Sequence, residues 1–197
     1  MIDINTLLDC GAAYKKVSAK EIIFQEGAQC NFYYQLVSGR IHWVNIDDEG
    51  KEFLQIIIEP NECFGEFPLF DGLPYAASAI AESDSIILKL HKDSFHQLLK
   101  NNSDIHFRFS KLLTQRLRFK FLILKEIASH NPEKSISTLL NYFRKHRKNI
   151  CEDCNQLKLT RQQIANMTGL RVETVIRTMR NMHIKGDIDI QKGKVYC

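Results

Sequence analysis

The stretch TRQQIANMTGLRVETVIRTMRNM, from Thr160 to Met182, limits the possible folds of this chain more than any other segment. Thr160 and Gln163 have the Ser/Thr-x-x-Glu/Gln spacing of a capping box, which starts a helix by satisfying its free backbone N–H groups. Ile164 and Met167 give that helix an apolar side, and Ala165 is small enough to admit a second helix close by. Gly169 supplies the positive φ that ends it. Val172, Val175, Met179 and Met182 then recur at steps of three, four and three, one buried stripe of a second helix. The opposite side carries Glu173, Ile176, Arg177 and Arg180. Such a face suits the major groove, where an Arg fork pairs with guanine and Glu accepts from a cytosine amino group. The expectation is a helix-turn-helix that reads DNA. A pair of the same shape that serves protein contacts is the alternative.

Charge distribution favours the first reading. Residues 1–100 hold 8 Lys and Arg against 15 Asp and Glu, a net of −7, whereas residues 101–197 hold 19 against 8, a net of +11. An acidic front half joined to a basic back half suits a sensor joined to a polyanion binder. With 197 residues and 44% hydrophobic content, the chain can build one large or two modest cores. Its longest apolar run, around Phe53 to Ile58, is far short of a membrane span. The start, MIDINTLLDC, lacks the basic and apolar regions of a signal peptide. A cytoplasmic protein without a membrane partner is expected, its six cysteines reduced.

The patterning changes along the chain. From about Val17 to Leu90, the runs EIIF, FYYQLV, RIHWVNI, FLQIII and SIILKL alternate with turn formers such as Glu26-Gly27, Ser38-Gly39 and Pro60-Asn61. Short strands at close spacing predict a barrel or jelly-roll, followed by a short helix over Lys92 to Leu99. From Asp104 to Ser129 no Gly or Pro interrupts a long helix whose apolar residues cover more than one face, among them Phe109, Leu117, Phe121 and Leu124. Such a helix needs two partners, and its own β-domain and the same helix of a second subunit would supply them. An ordinary buried helix of a monomer is the competing reading. Asn131-Pro132 breaks the helix and opens the next domain. Glu133 to Phe143 forms a further helix ending in the basic run Arg144 to Lys148. Ile184 to Tyr196 predicts a small hairpin, or wing, turning at Lys192-Gly193.

With these parts in order, the chain resembles the CRP/FNR (cyclic-nucleotide-receptor/fumarate-nitrate-regulator) transcription factors over nearly its whole length. LKLTRQQIANMTGLRVETVIR looks like the family's LTRQEIAxxxGLxxETVxR signature, and FGEFPLF, Phe64 to Phe70, looks like its FGExxLF segment. The resemblance implies an α+β chain in three parts. These are an N-terminal β-roll effector domain over residues 1–103, a dimerisation helix over 104–130, and a C-terminal winged helix-turn-helix over 131–197. It further implies a homodimer on a palindromic duplex, with RNA polymerase as a partner. Positions matching Glu173 and Arg177 read base edges in that family; Ile176 stands where a Ser is usual and offers an apolar contact, and Arg180 completes the reading face. Thr160, Arg161, Gln162 and Arg171 match or adjoin positions that hold the DNA backbone. Arg171 also occupies a position where a Ser or Thr cap is usual, which weakens the helix start by roughly 0.5–2 kcal/mol.

The resemblance departs at the effector pocket. Cyclic-nucleotide binders carry FGE…PRSA, in which Arg pairs with the cyclic phosphate and Ser hydrogen-bonds it. Gly65 and Glu66 are kept, but Tyr75 stands for the Arg and Ala76 for the Ser. Losing a charge-assisted contact to phosphate forfeits roughly 1.5–3 kcal/mol. On the long helix, Lys120 and Phe121 occupy the positions expected to offer Thr and Ser to the purine, and Lys120 is an alternative source of positive charge. The pocket reads against cyclic AMP and assigns no cofactor. Haem would need an axial ligand that no residue identifies. An iron–sulfur cluster would need closer cysteines than Cys10, Cys30 and Cys63. Cys151-Glu152-Asp153-Cys154 has the spacing of a metal or redox pair, yet no second CxxC or HxxxH completes a metal site, and a turn with two idle thiols is the favoured reading. Regulation by protein level alone stays open.

No Ser/His/Asp set, P-loop or complete metal motif points to an enzyme. A DNA-binding regulator is the leading expectation. A cyclic-nucleotide, haem or redox sensor acting mainly through protein contacts is the alternative.

Overall fold

A computed structural model describes residues 1–196. It divides into two compact units, Met1–Leu112 and Leu113–Cys197.

The first unit begins with α1 (Ile4–Asp9), capped by the Asp3 carboxylate on the Thr6 N–H at 3.2 Å. Eight strands follow: β1 (Ala13–Val17), β2 (Ile22–Phe24), β3 (Phe32–Ser38), β4 (Ile41–Ile46), β5 (Glu52–Ile58), β6 (Cys63–Phe64), β7 (Ser78–Ala81) and β8 (Ser85–His91). They form two four-stranded antiparallel sheets, ordered β1-β8-β3-β6 and β2-β7-β4-β5. Consecutive strands alternate between the sheets often enough to make a jelly-roll, as the spacing of the β runs predicts. Leu36, Ile41, Ile58, Ile87 and Leu88 are sealed in its core at 0–1% exposure. The sequence patterning passed over α1, β1, β6, β7 and α2 (Phe67–Asp71), all short, so that few residues are available to show a period. α3 (Lys92–Asn101) runs two residues past its expected end.

The long α4 (Ser103–Ser129) passes through the boundary between the units. In the first unit, its Phe109 is buried edge-on against Phe95, with ring centroids 5.3 Å apart.

In the second unit, Phe119 of α4 packs on Tyr142 and Phe143 of α5 (Pro132–His146). Pro132 ends one helix and begins the next, since it lacks the N–H that a helix interior needs but a first turn does not. The Asn131 side chain caps α5 by accepting from the Lys134 N–H at 3.1 Å. α6 (Arg161–Thr168) and α7 (Val172–Lys185) complete the helical layer, and β9 (Asp189–Gln191) pairs with β10 (Lys194–Tyr196) as the wing. Helix α7 extends through Ile184 and Lys185, which the sequence pattern placed in the wing; pairing starts at Asp189.

Candidate DNA-reading surface and effector pocket

The turn between α6 and α7 follows from local chemistry. Thr160 Oγ1 accepts from the Gln163 N–H at 3.1 Å, and Gln163 Oε1 accepts from the Thr160 N–H at 2.8 Å, so both arms of the capping box are made. Gly169 ends α6 at φ 70°, a left-handed backbone that a side chain would strain. α7 then starts at Arg171 in extended geometry with no side-chain cap, as expected of an arginine there.

Val175, Met179 and Met182 are buried at 0–2% exposure against α5 and α6, with Thr178 beside them and Val172 half-buried. Burial of that stripe turns Glu173, Ile176, Arg177 and Arg180 outward, and all four are exposed. Glu173 and Arg177 stand one helical turn apart, neighbours on one face. Thr160 and Gln162 are exposed at the start of α6, Arg161 is half-buried and Arg171 is exposed. Gln162 donates to the Asn166 side chain at 2.8 Å.

In the first unit the residues expected at the effector pocket meet a different environment. Gly65 holds φ 67°, and a Cβ built there would lie 2.5 Å from Cζ of Phe24 and 3.0 Å from Cε1 of Tyr75. The rings of Phe24 and Tyr75 stack with centroids 3.8 Å apart and planes 10° from parallel. Tyr34 and Phe64 extend the stack, at 5.7 Å and 6.0 Å from Phe24. Of this aromatic slab, the Phe24 and Tyr75 rings lie against the backbone at Gly65. Glu66 is fully buried, and the Cys63 thiol lies 3.9 Å from its carboxylate as a weak donor.

Tyr75 is 4% exposed and pinned by its backbone, donating to Ala28 O at 3.0 Å and accepting from the Gly27 N–H at 2.9 Å. Burial, then a hydrogen bond with the Cys30 thiol, then the neighbouring Tyr34 push its phenol far above the usual tyrosine range. Tyr34 is pushed up to about 12, by burial first and the Cys30 sulfur second. Both phenols are therefore neutral, and neither supplies charge to an anion. Ala76 is exposed, its carbonyl accepting from Asn45 Nδ2 at 2.8 Å. A cleft of about 350 Å³ in the same unit is walled by Cys30, Phe70, Leu73, Lys92 and His96, among others, and not by Gly65, Glu66 or Tyr75.

Lys120 and Phe121 lie on the α4 segment of the second unit, so the two groups of pocket residues belong to different units. Phe121 is 63% exposed. The Lys120 ammonium is pulled down to about 8 by desolvation first and Arg116 second, although its side chain as a whole remains open to solvent.

The sequence singles out Tyr75 and names Phe64 within the FGE segment and Cys30 among the scattered cysteines, but it does not point to Phe24 and Tyr34 or to a meeting of all five side chains. Phe24 and Tyr34 read in sequence as ordinary strand residues, and only the fold makes them neighbours of Tyr75. Among the described residues, no group of three or more His, Cys, Asp or Glu side chains is placed to hold a metal ion, and no helix is long and apolar enough to cross a membrane.

A β-roll, a long helix and a winged helix-turn-helix with an outward polar face define a sensor-type DNA-binding regulator. Residues 14–102 match the cyclic nucleotide-binding domain, and residues 133–196 match the Crp-like helix-turn-helix domain. The chain is 29% identical over 167 residues to the cAMP-activated global transcriptional regulator CRP of Pasteurella multocida, covering 84% of this chain and 80% of that one. Its fold resembles FixK2 from Bradyrhizobium japonicum, with a TM-score of 0.79 at 18% identity over 94% of this chain and 91% of that one. It also resembles the c-di-GMP responsive global regulator CLP of Xanthomonas campestris, with a TM-score of 0.78 at 16% identity over 98% of each chain. The chain belongs to the CRP/FNR family of transcription regulators, which places it among DNA-binding regulators with a cyclic-nucleotide-binding-like domain rather than among enzymes.

Proposed function

We propose that this chain is a homodimeric, cytoplasmic regulator that reads an inverted-repeat DNA site and works without cyclic AMP. The division of labour is an effector domain over residues 1–103, a dimerisation helix over 104–130 and a DNA-binding domain over 131–197. Glu173, Ile176, Arg177 and Arg180 face the base edges, while Thr160, Arg161, Gln162 and Arg171 hold the backbone and set register. Leu117, Phe121, Leu122, Leu124 and Ile127 are 42–63% exposed along one helix, an apolar stripe that a second copy would cover. RNA polymerase is the natural further partner of a regulator bound upstream of a gene.

The aromatic slab is the observation that carries the claim about cyclic AMP. The resemblance puts the ribose of a cyclic nucleotide beside Gly65 and Glu66, and the stacked rings of Phe24 and Tyr75 lie against Gly65 there. Tyr75 and Ala76 also leave the phosphate without its charged and hydroxyl partners, and a buried anion without partners is costly. Glu66 adds an acceptor and no positive charge. The CRP of Pasteurella multocida is described as activated by cAMP and CLP as responsive to c-di-GMP, so family membership alone does not choose the ligand.

Calorimetric titration with cyclic AMP and cyclic GMP tests the reading. Neither nucleotide should give saturable heat at micromolar concentrations or raise affinity for a selected DNA site. Tyr75→Arg with Ala76→Ser should bring measurable binding back, by opening the stack and restoring the phosphate partners. Micromolar binding by the wild type that is lost on Lys120→Ala would overturn the claim and make that lysine the substitute phosphate partner.

A further inference from the structure

The second unit holds a pair of cysteines that neither the reading face nor the effector pocket uses. Residues 150–157 form a small hairpin in which Ile150 bridges Leu157 and the Cys151 N–H donates to Gln156 O at 2.8 Å. The Asn155 N–H donates to Cys151 O at 3.0 Å, and Asn155 turns the chain at φ 56°. Arg147 Nη1 fixes the Asn155 side chain at 3.2 Å. Beyond the turn, Gln156 bridges Tyr196 and the Leu157 N–H donates to Val195 O at 2.8 Å, which stitches the hairpin to β10.

The Asn155 N–H bond to Cys151 O closes one helix-like turn over residues 151–155, and side chains three residues apart on such a turn are neighbours, so Cys151 and Cys154 share one face. On that turn the backbone and side chain of Cys154, then the Asp153 backbone, hold the Cys151 thiol below the ordinary thiol range, against an opposing push from burial and the Asp153 carboxylate. Both thiols are free; Cys151 is half-buried and Cys154 exposed, so an oxidant can reach them. Cys30 and Cys63 lie buried in the β-roll core instead. Three or more ligands placed for a metal are absent among the described residues, which favours redox chemistry over a metal cage.

We propose that Cys151 and Cys154 form a reversible dithiol–disulfide site oxidised by hydroperoxides. The Cys151 thiolate attacks one peroxide oxygen and the O–O bond breaks, giving a sulfenic acid on Cys151 and an alcohol, or water when the oxidant is hydrogen peroxide. Cys154 then attacks the sulfenic sulfur, the S–O bond breaks, and the departing hydroxide leaves as water with the Cys154 proton. Two thiols lose two electrons in total and the hydroperoxide gains them. A dithiol reductant reverses the change by exchange. A transient disulfide of this kind is the form compatible with a reducing compartment.

The test uses full-length protein, freed of reductant and treated with a single equivalent of hydrogen peroxide, then alkylated and mapped by peptide mass. The expected product carries a Cys151–Cys154 disulfide, with the loss of two hydrogens, while Cys10, Cys30, Cys63 and Cys197 remain alkylatable. Dithiothreitol should restore the full thiol titre. In Cys154→Ser the reaction should stop at a Cys151 sulfenic acid that dimedone traps. In Cys151→Ser no dimedone adduct should form at Cys154. A disulfide from either residue to another cysteine, or oxidation elsewhere while this pair stays reduced, would overturn the proposal. So would a dimedone adduct on Cys154 in the Cys151→Ser protein, because it would remove the assigned nucleophile.

Discussion

The two units treat their functional positions in opposite ways. In the second, burial of Val175, Met179 and Met182 leaves Glu173, Ile176, Arg177 and Arg180 standing in solvent. In the first, two of the positions expected to meet an effector are covered, Glu66 fully buried and Tyr75 stacked on Phe24 against Gly65, although Ala76 next to them is exposed. A reading face built on a helix survives changes in individual side chains, because its orientation comes from the buried stripe on the other side. A pocket does not, because any large side chain pointed inward occupies the ligand's place. One family fold can therefore keep its DNA-reading surface while its effector site changes.

The largest expected effect comes from removing the proposed partner copy. Leu117→Glu together with Leu124→Glu places charge on the exposed stripe of α4, where the monomer should tolerate it and a dimer should not. If dimerisation links two half-sites, its loss forfeits roughly 10²–10⁴ in DNA affinity through lost avidity. Sedimentation and binding to the full inverted repeat should change together. A monomeric variant that still bound the full site tightly would break the model.

Arg177→Ala sharpens the contrast within the DNA-binding unit. It should cost about 1–3 kcal/mol per half-site and relax preference at one base pair. Arg161→Ala should instead weaken all sequences alike, because a backbone contact carries no base information. Selection of bound sequences from a random pool checks both, and an unchanged consensus for Arg177→Ala would remove its reading role.

Gly65→Ala probes the covered site directly. Its backbone is left-handed at φ 67°, and the new Cβ would collide with Phe24 at 2.5 Å. The strained conformation alone costs about 1–3 kcal/mol, and a clash adds to it. The midpoint of urea unfolding should fall accordingly. An unchanged midpoint would mean that Phe24 and Tyr75 yield freely, and with them the reason for excluding a nucleotide.

These expectations also mark how far the sequence alone could be read. The capping box, Gly169 and the stripe from Val175 to Met182 specify the helix-turn-helix by local chemistry and a single period, so both helices and their outward faces were legible. The jelly-roll was legible as a class, from strand runs and turns, although its short strands and α2 were not. The Tyr75 and Ala76 substitutions flagged the expected effector site, whereas the aromatic stack around Tyr75 brings together Phe24, Tyr34, Phe64 and Tyr75 across long sequence separations. No periodicity records such a meeting. The Cys151–Cys154 spacing was visible, whereas the turn that makes the two side chains neighbours depends on the hairpin that closes it.

The smallest expected effect concerns Arg171 and has opposite signs in its two readouts. Arg171 sits at the N-cap of α7 in extended geometry and makes no side-chain bond to the helix, whereas Thr160 caps α6 fully. Arg171→Ser supplies an oxygen where the backbone is already shaped to receive one. Stability should rise by about 0.5–2 kcal/mol, the usual worth of such a cap. If Arg171 meets a DNA phosphate, the same change should weaken binding to every sequence and lower the slope of log K against log salt by about one. Thermal unfolding of the free protein and salt-dependent binding to specific and random duplexes separate the two effects. A more stable protein with unchanged DNA affinity would leave Arg171 without a phosphate role. Weaker binding with no gain in stability would mean that an uncapped α7 costs the fold nothing, and the arginine would then be there for DNA alone.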